Sequence, residues 1–398
     1  MDFRKIPTLN STPSLLGYGC MRFPEKDGKI DKEQSYAMLD AAIAGGVNYF
    51  DTAYIYHNGE SEPFMGQYFK ENLSTKPRDS FYIATKLPTW EVNSLEDAKR
   101  IFAQQCERLQ VDYIDFYLLH DLKLDRFEKM EKLGVYDYCR ELQAQGKIKH
   151  LGHSSHENAE NFAKIVDARD WDFVMLHLNY MDLDNLKLYE YAVAKGVPVF
   201  VMEGVKGGSL SKLPDDIAPH FTALNPTATP ASWALRWAGS LSDSGRPPAE
   251  ASGDLRGGEQ SPPSLAVKCI LSGMSSMEQV QDNLATFSGF KPLSNEEHAA
   301  IKRVEVDLRK RVRCNCTGCN YCMPCPAGVN IPWVLSIWNN WGIYENRGHS
   351  NWEWSMVGAD SRPAKCTECG ACNAICPQKI DIIADLKRAD SELEGLAW

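Results

Sequence analysis

The stretch Leu15-Leu16-Gly17-Tyr18-Gly19-Cys20-Met21-Arg22 decides the fold. It reads as a first strand entering a turn, the place where an open, doubly wound sheet carries its GxGxxG phosphate turn. Gly17 and Gly19 are present, but Arg22 occupies the third glycine position. Seven further runs rich in β-branched or aromatic residues follow: Val47 to Phe50, Phe81 to Thr85, Ile114 to Leu119, Lys149 to Gly152, Phe173 to Leu176, Val199 to Val201 and Val267 to Leu271. Between them, Lys32 to Ala44, Leu95 to Leu109, Met130 to Ala144 and Asn158 to Ala168 place apolar residues at helical spacing. Eight βα units before residue 290 fit a closed (β/α)8 TIM barrel, an α/β fold, better than the open sheet.

The 398 residues carry 53 acidic against 43 basic side chains, a formal charge of -10. That balance argues against nucleic acid, whose binders present a basic face, and the longest basic run here is Arg309, Lys310 and Arg311. A hydrophobic content of 43% excludes wholesale disorder. No apolar run is long enough to span a membrane, and the start Met1-Asp2-Phe3-Arg4-Lys5 leads into no secretory core, so a cytoplasmic protein is expected. The domain reading is a barrel over 1–290, a connecting helix over 291–313 and a cysteine-rich domain over 314–398. A segment rich in Ser, Gly, Pro and Glu, 241–264, reads as a flexible insertion in the barrel.

Nine of the 13 cysteines lie between Cys314 and Cys376, which in a reducing compartment points to metal rather than disulfides. They form a repeat. Cys316-Thr317-Gly318-Cys319-Asn320-Tyr321-Cys322-Met323-Pro324-Cys325-Pro326 is echoed by Cys366-Thr367-Glu368-Cys369-Gly370-Ala371-Cys372-Asn373-Ala374-Ile375-Cys376-Pro377. The second block matches the C-x2-C-x2-C-x3-C-P spacing of cubane iron–sulfur ligands in full. The first places only two residues between Cys322 and Cys325, and Cys314 adds a further thiol. Structural zinc competes, since four thiolates also suit zinc, but three closely spaced cysteines plus Cys-Pro, twice over, is poor zinc spacing. Trp333, Trp338, Trp341, Trp352 and Trp354 are expected to pack this domain and shield its clusters from water.

In a barrel, chemistry sits at the carboxyl ends of the strands. Asp51, Lys86 and His120 end the second, third and fourth predicted strands, and Tyr56 lies in the loop after Asp51. The set suits carbonyl reduction. Hydride addition leaves an alkoxide that needs a proton donor, and Tyr56 can serve if the Lys86 ammonium lowers its pKa from near 10. Asp51 would keep Lys86 charged, and His120 could orient the carbonyl.

On these residues the chain resembles the aldo-keto reductases. Gly46-Val47-Asn48-Tyr49-Phe50-Asp51-Thr52-Ala53-Tyr54-Ile55-Tyr56, Gly59-Glu60-Ser61-Glu62, Ala84-Thr85-Lys86, Tyr117-Leu118-Leu119-His120, Gly146-Lys147-Ile148 and Trp233-Ala234-Leu235-Arg236-Trp237 carry the likeness. With its tail, the chain is similar to the ferredoxin-tailed branch of that family. The resemblance implies a barrel followed by a small ferredoxin-like domain, and NADH- or NADPH-dependent reduction of a small-molecule carbonyl. Tyr56 would be the acid, Asp51 and Lys86 its support and His120 the orienting group. It places nicotinamide against Ser154, Ser155, His177 and Met202, with His177 where glutamine is common and Met202 where an aromatic often stacks. The adenosine phosphate end would meet Gly273, Ser275 and Asn283. No Lys or Arg occurs from Leu271 to Asn283, which favours NADH. By likeness to bacterial two-cluster ferredoxins, one [4Fe-4S] cluster would take Cys316, Cys319, Cys322 and Cys376, and the other Cys366, Cys369, Cys372 and Cys325.

Nicotinamide moves two electrons as hydride, cubanes move one at a time, and no flavin signature is visible to convert between them. The clusters therefore read as structural staples, a redox sensor or a port for an external one-electron carrier. An electron-transfer or redox-sensing protein whose barrel binds nicotinamide without turnover, and a regulatory subunit on a barrel scaffold, are the alternatives from other classes.

Overall fold

Eight short strands close on themselves. They are β1 (Leu16–Gly19), β2 (Tyr49–Asp51), β3 (Tyr82–Pro88), β4 (Ile114–His120), β5 (Ile148–Ser155), β6 (Phe173–His177), β7 (Val199–Met202) and β8 (Val267–Gly273). Each pairs in parallel with its sequence neighbours, and β8 returns to β1 through Leu16↔Ile270 and Gly19↔Gly273. The computed structural model describes residues 1–74, 76–242 and 267–396. The insertion read at 241–264 lies, beyond residue 242, outside the described residues.

The strands form because their residues are apolar on both faces, as a sheet wrapped by helices requires. Inward-pointing Tyr49, Phe116, Phe173 and Phe200 fill the barrel with rings 5.1–5.3 Å apart. Outward-pointing Tyr117 and Leu119 pack with Ile101, Phe102 and Cys139 from the surrounding helices. Helix starts follow their caps: Asp31 accepts from Gln34 N at 3.1 Å, Ser94 from Asp97 N at 3.1 Å and Asn158 from Asn161 N at 3.0 Å. The single helix expected over Met130 to Ala144 is instead two, Leu124–Lys132 and Val135–Ala144. Gly134 between them adopts φ 71, a left-handed turn that suits glycine, while the apolar stripe continues on both sides into one core.

His153 on β5 is fully buried, edge-on to Trp171 at 4.7 Å, and burial pushes its pKa down to about 3. Below about pH 6.5 the unfolded chain takes up this proton and the folded chain does not. Stability should therefore fall as pH drops from about 6.5 toward 3, by about 1.4 kcal/mol per pH unit from this group. His153→Leu is expected to flatten that limb of a urea-midpoint-versus-pH curve; an unchanged limb would refute the assignment.

The chain divides into two compact units, Met1–Gly204 with Ala234–Asn295 and Val205–Trp233 with Glu296–Trp398. The first holds the barrel. In the second, Val205–Trp233 joins the tail where His220 Nε2 meets Asp307 Oδ2 at 2.8 Å, and within that stretch Phe221 stacks on Trp233 at 4.4 Å. Helices Ile331–Tyr344, Arg347–Met356 and Ile382–Glu394 supply its core through Val334, Leu335, Trp338, Trp354, Leu386 and Leu393.

Candidate functional site

Parallel register brings the predicted residues to one end of the barrel. Gly19 pairs with Asp51, Asp51 with Ala84 two residues before Lys86, and Pro88 with His120. Lys86 is 1% exposed and Asp51 2%. The Lys86 ammonium donates to Asp51 Oδ1 at 2.5 Å, to the Thr52 carbonyl at 2.8 Å and to the Tyr56 hydroxyl at 3.1 Å, so all three of its N–H groups are used. Burial alone would lower the Lys86 pKa, but Asp51 and Tyr56 outweigh it and the net value rises to about 12.

The direction at Tyr56 differs from the sequence expectation. Burial raises the phenol, and although Lys86 pulls it down, burial wins. A low-dielectric wall cannot be read from residue spacing. The chemical consequence is a phenol that stays protonated at neutral pH, next to a cation able to stabilise the phenolate once the proton has left.

His120 stands edge-on to Tyr56, ring centroids 6.1 Å apart. Burial, followed by the charges of Lys86, His156 and Arg126, holds its pKa well below 6.5, so the ring is neutral. Its Nδ1 is buried without a hydrogen-bond partner among the described residues. Trp90 lies 5.1 Å from the same ring, and Arg126 covers Trp90 while bonding Asp121.

Behind this set runs a buried network that the sequence did not disclose. Glu62, with no exposed surface, accepts from Thr85 Oγ1 at 2.6 Å, from Gln105 Nε2 at 2.8 Å and from Arg108 Nη1 at 3.2 Å. Gln105 also donates to the Lys86 carbonyl at 3.0 Å, which fixes the backbone that carries the ammonium.

The residues assigned to nicotinamide also gather at this rim. Ser154 and Ser155 end β5, and His177 pairs with Met202 across β6 and β7. Ser154 Oγ accepts from Asp121 N at 2.9 Å, and Ser155 Oγ accepts from Glu157 N at 3.2 Å, so both already organise loops. His177 meets Asn185 Nδ2 at 2.5 Å and stacks on His156 at 4.8 Å. Gly273 ends β8, Asn283 Nδ2 donates to Ser272 Oγ at 2.8 Å, and Ser275 Oγ donates to the Arg22 carbonyl at 2.8 Å. A Cβ on Gly273 would come within 2.9 Å of Arg22 Cγ. The loop that lacked a cation in sequence thus has one beside it, supplied by the residue that broke the GxGxxG pattern. Only the closure of β8 on β1 makes them neighbours.

In the second unit the cysteines surround two cavities. Cys316, Cys319, Cys322 and Cys376 line one; Cys325, Cys366, Cys369 and Cys372 line the other together with Cys322, which borders both. Cys314 lines neither, its backbone held by Asn339 at 3.0 Å. Zinc would draw four sulfurs to about 2.3 Å from one point. Among the described residues no three His, Cys, Asp or Glu side chains converge to hold a single metal ion. Thiols spaced around a cavity fit a multi-iron cubane instead. No tryptophan lines either cavity; Trp338 and Trp354 are buried, whereas Trp333 and Trp352 are 37% and 53% exposed, so expected shielding by all of them does not hold.

A closed parallel barrel with an Asp–Lys–Tyr–His set at its carboxyl rim, followed by cysteine-lined cavities, defines an oxidoreductase with an iron–sulfur appendage. The chain belongs to the aldo/keto reductase family, whose model matches residues 15–306, and a 4Fe-4S dicluster domain model matches 315–380. Among characterised relatives it is similar to an L-galactose dehydrogenase of Arabidopsis thaliana, 23% identical over 77% of this chain and 94% of that one. For several other curated relatives the chain spans about half their length. Solved structures with the same fold include the holo form of an aldo-keto reductase from Bacillus halodurans (TM-score 0.57, 24% identity, 76% of this chain and 96% of that one). Another is an aldo/keto reductase from Klebsiella pneumoniae in complex with NADP and acetate (TM-score 0.54, 23% identity, 74% and 93%).

Proposed function

We propose that the barrel reduces an aldehyde or ketone to an alcohol with NADH or NADPH. The observation that carries this reading is Lys86 Nζ, buried and bonded to Asp51 and Tyr56 together at the barrel rim. When bound, the nicotinamide supplies hydride to the carbonyl carbon. Tyr56 gives its hydroxyl proton to the oxygen that becomes negative, Lys86 stabilises the phenolate left behind, and Asp51 keeps Lys86 an ammonium. His120, neutral and with its proton on Nε2, would donate a hydrogen bond to the carbonyl oxygen. Ser154, Ser155, His177 and Met202 would hold the nicotinamide, and Gly273, Ser275 and Asn283 the adenosine end. Arg22 supplies positive charge for phosphate there, which removes the argument favouring NADH. Among the described residues no helix is long and apolar enough to cross a membrane; we place the protein in the cytoplasm.

The cysteine sets, Cys316, Cys319, Cys322 and Cys376 and then Cys325, Cys366, Cys369 and Cys372, would each hold one [4Fe-4S] cluster. Cys319 and Cys369 are exposed, which gives each cavity an edge open to an external one-electron carrier. An anaerobic panel of aldehydes and ketones with both nicotinamides is expected to show carbonyl-dependent cofactor oxidation. Reduction of the clusters with no turnover of any carbonyl would instead establish the electron-transfer reading.

A further inference from the structure

The backbone just past the phenol is held in an uncommon shape. His57, Asn58 and Gly59 follow Tyr56 with φ of 50, 55 and 87. This left-handed region is unfavourable for a residue with a β-carbon, least for asparagine and more for His57, so something must hold the turn.

The His57 side chain does. It is 7% exposed; its Nε2 accepts the Phe23 amide at 3.2 Å, and its Nδ1 donates to Glu25 Oε1 at 2.9 Å. The amide can only donate, so Nε2 is bare and the proton sits on Nδ1. The ring also packs on Phe23 at 5.9 Å, and Phe23 on Phe64 at 5.0 Å. Both bonds therefore reach the short segment that follows β1. Through Arg22 that segment also touches the loop after β8, by the Ser275 hydroxyl and by Gly273. Residues 22 to 25 thus form a strap tying the Tyr56 turn to the loop assigned to the adenosine end.

We propose that His57 is a positioning residue, pinning the strained turn to this strap so that the Tyr56 hydroxyl stays at hydrogen-bond distance from Lys86. The inference rests on carbonyl reduction as the reaction. His57 touches neither substrate nor cofactor in it, so its effect belongs in kcat.

The test compares full-length wild type, His57→Ala, His57→Gln and Glu25→Ala. A phenol displaced by about 1 Å can cost about 10²-fold in rate, and His57→Ala is expected to lower kcat by about 10–100-fold with the nicotinamide KM changed less than about threefold. Glutamine can accept from the Phe23 amide and donate to Glu25, so His57→Gln should recover most of kcat. Glu25→Ala, at an exposed position, should lose several-fold. Amide hydrogen exchange supplies a readout independent of turnover: protection at Phe23 and over residues 56–60 should drop in His57→Ala and return in His57→Gln, with the barrel strands unchanged. Wild-type kcat in His57→Ala with unchanged protection overturns the proposal, as does a His57→Gln variant as impaired as alanine. If His57→Ala does not fold, an unaltered kcat and unaltered protection in Glu25→Ala overturn it. An inactive wild type refutes carbonyl reduction, and exchange still decides whether His57 pins the turn to the strap.

Discussion

Tyr56→Phe is expected to lower kcat for carbonyl reduction by about 10²–10⁴-fold, the scale of one positioned proton donor, while leaving nicotinamide affinity within about twofold. The substitution removes one oxygen and keeps the ring that faces His120. Lys86 retains Asp51 at 2.5 Å and the Thr52 carbonyl at 2.8 Å, so the ammonium has no reason to move. Steady-state kinetics with quenching of protein fluorescence by the nicotinamide separates the two effects. A variant that keeps kcat within threefold of wild type would remove Tyr56 from the chemistry. The wild-type pH profile follows from the same geometry. The acid must be protonated to act, and burial raises Tyr56 above its ordinary value, so activity should not decline between pH 7 and 9 through loss of that proton. His120 is neutral and held well below 6.5, so its protonation should not cut activity between pH 7 and 6 either.

What could be read from the sequence divides along a physical line. Asp51 and His120 fall at strand ends as the spacing predicts, because a strand end is a local event, marked where an apolar run stops, and parallel strands share their direction; Lys86, expected at the end of its strand, lies inside β3, which runs on to Pro88. The break at Gly134 is hidden in the sequence because the apolar period runs on through Val135, although the backbone turns. The direction of the Tyr56 shift, the contact of Arg22 with Gly273 and the bonds made by Glu62 and His57 all depend on burial or on distant segments meeting. None leaves a trace in spacing. The cysteine blocks lie between these cases: their repeat is visible in the sequence, while the assignment of Cys376 to the first block and Cys325 to the second comes from the likeness to ferredoxins; Cys376 lines the cavity of the first block and Cys325 that of the second, and Cys322 lines both.

Electron counting leads to the other large effect. Hydride transfer keeps both electrons between nicotinamide and carbonyl, and the proton comes from Tyr56, so the proposed reaction balances without iron. The cysteine unit is differently placed. Its core includes Val334, Leu335, Trp338, Leu386 and Leu393, and the loops carrying its cysteines line two cavities beside that core. Where ligands converge only in the folded state, metal binding energy is folding energy. Anaerobic removal of iron by a chelator should therefore unfold this unit, seen as loss of its own calorimetric transition, while carbonyl-dependent NAD(P)H oxidation stays within about twofold of the intact protein. Cys319→Ser and Cys372→Ser should each halve the iron content, because each belongs to one cavity alone. If turnover instead vanished with the iron while the barrel's transition persisted, the clusters would lie on the electron path, and a two-electron donor and one-electron centres would have to be coupled by a group that neither unit has been assigned.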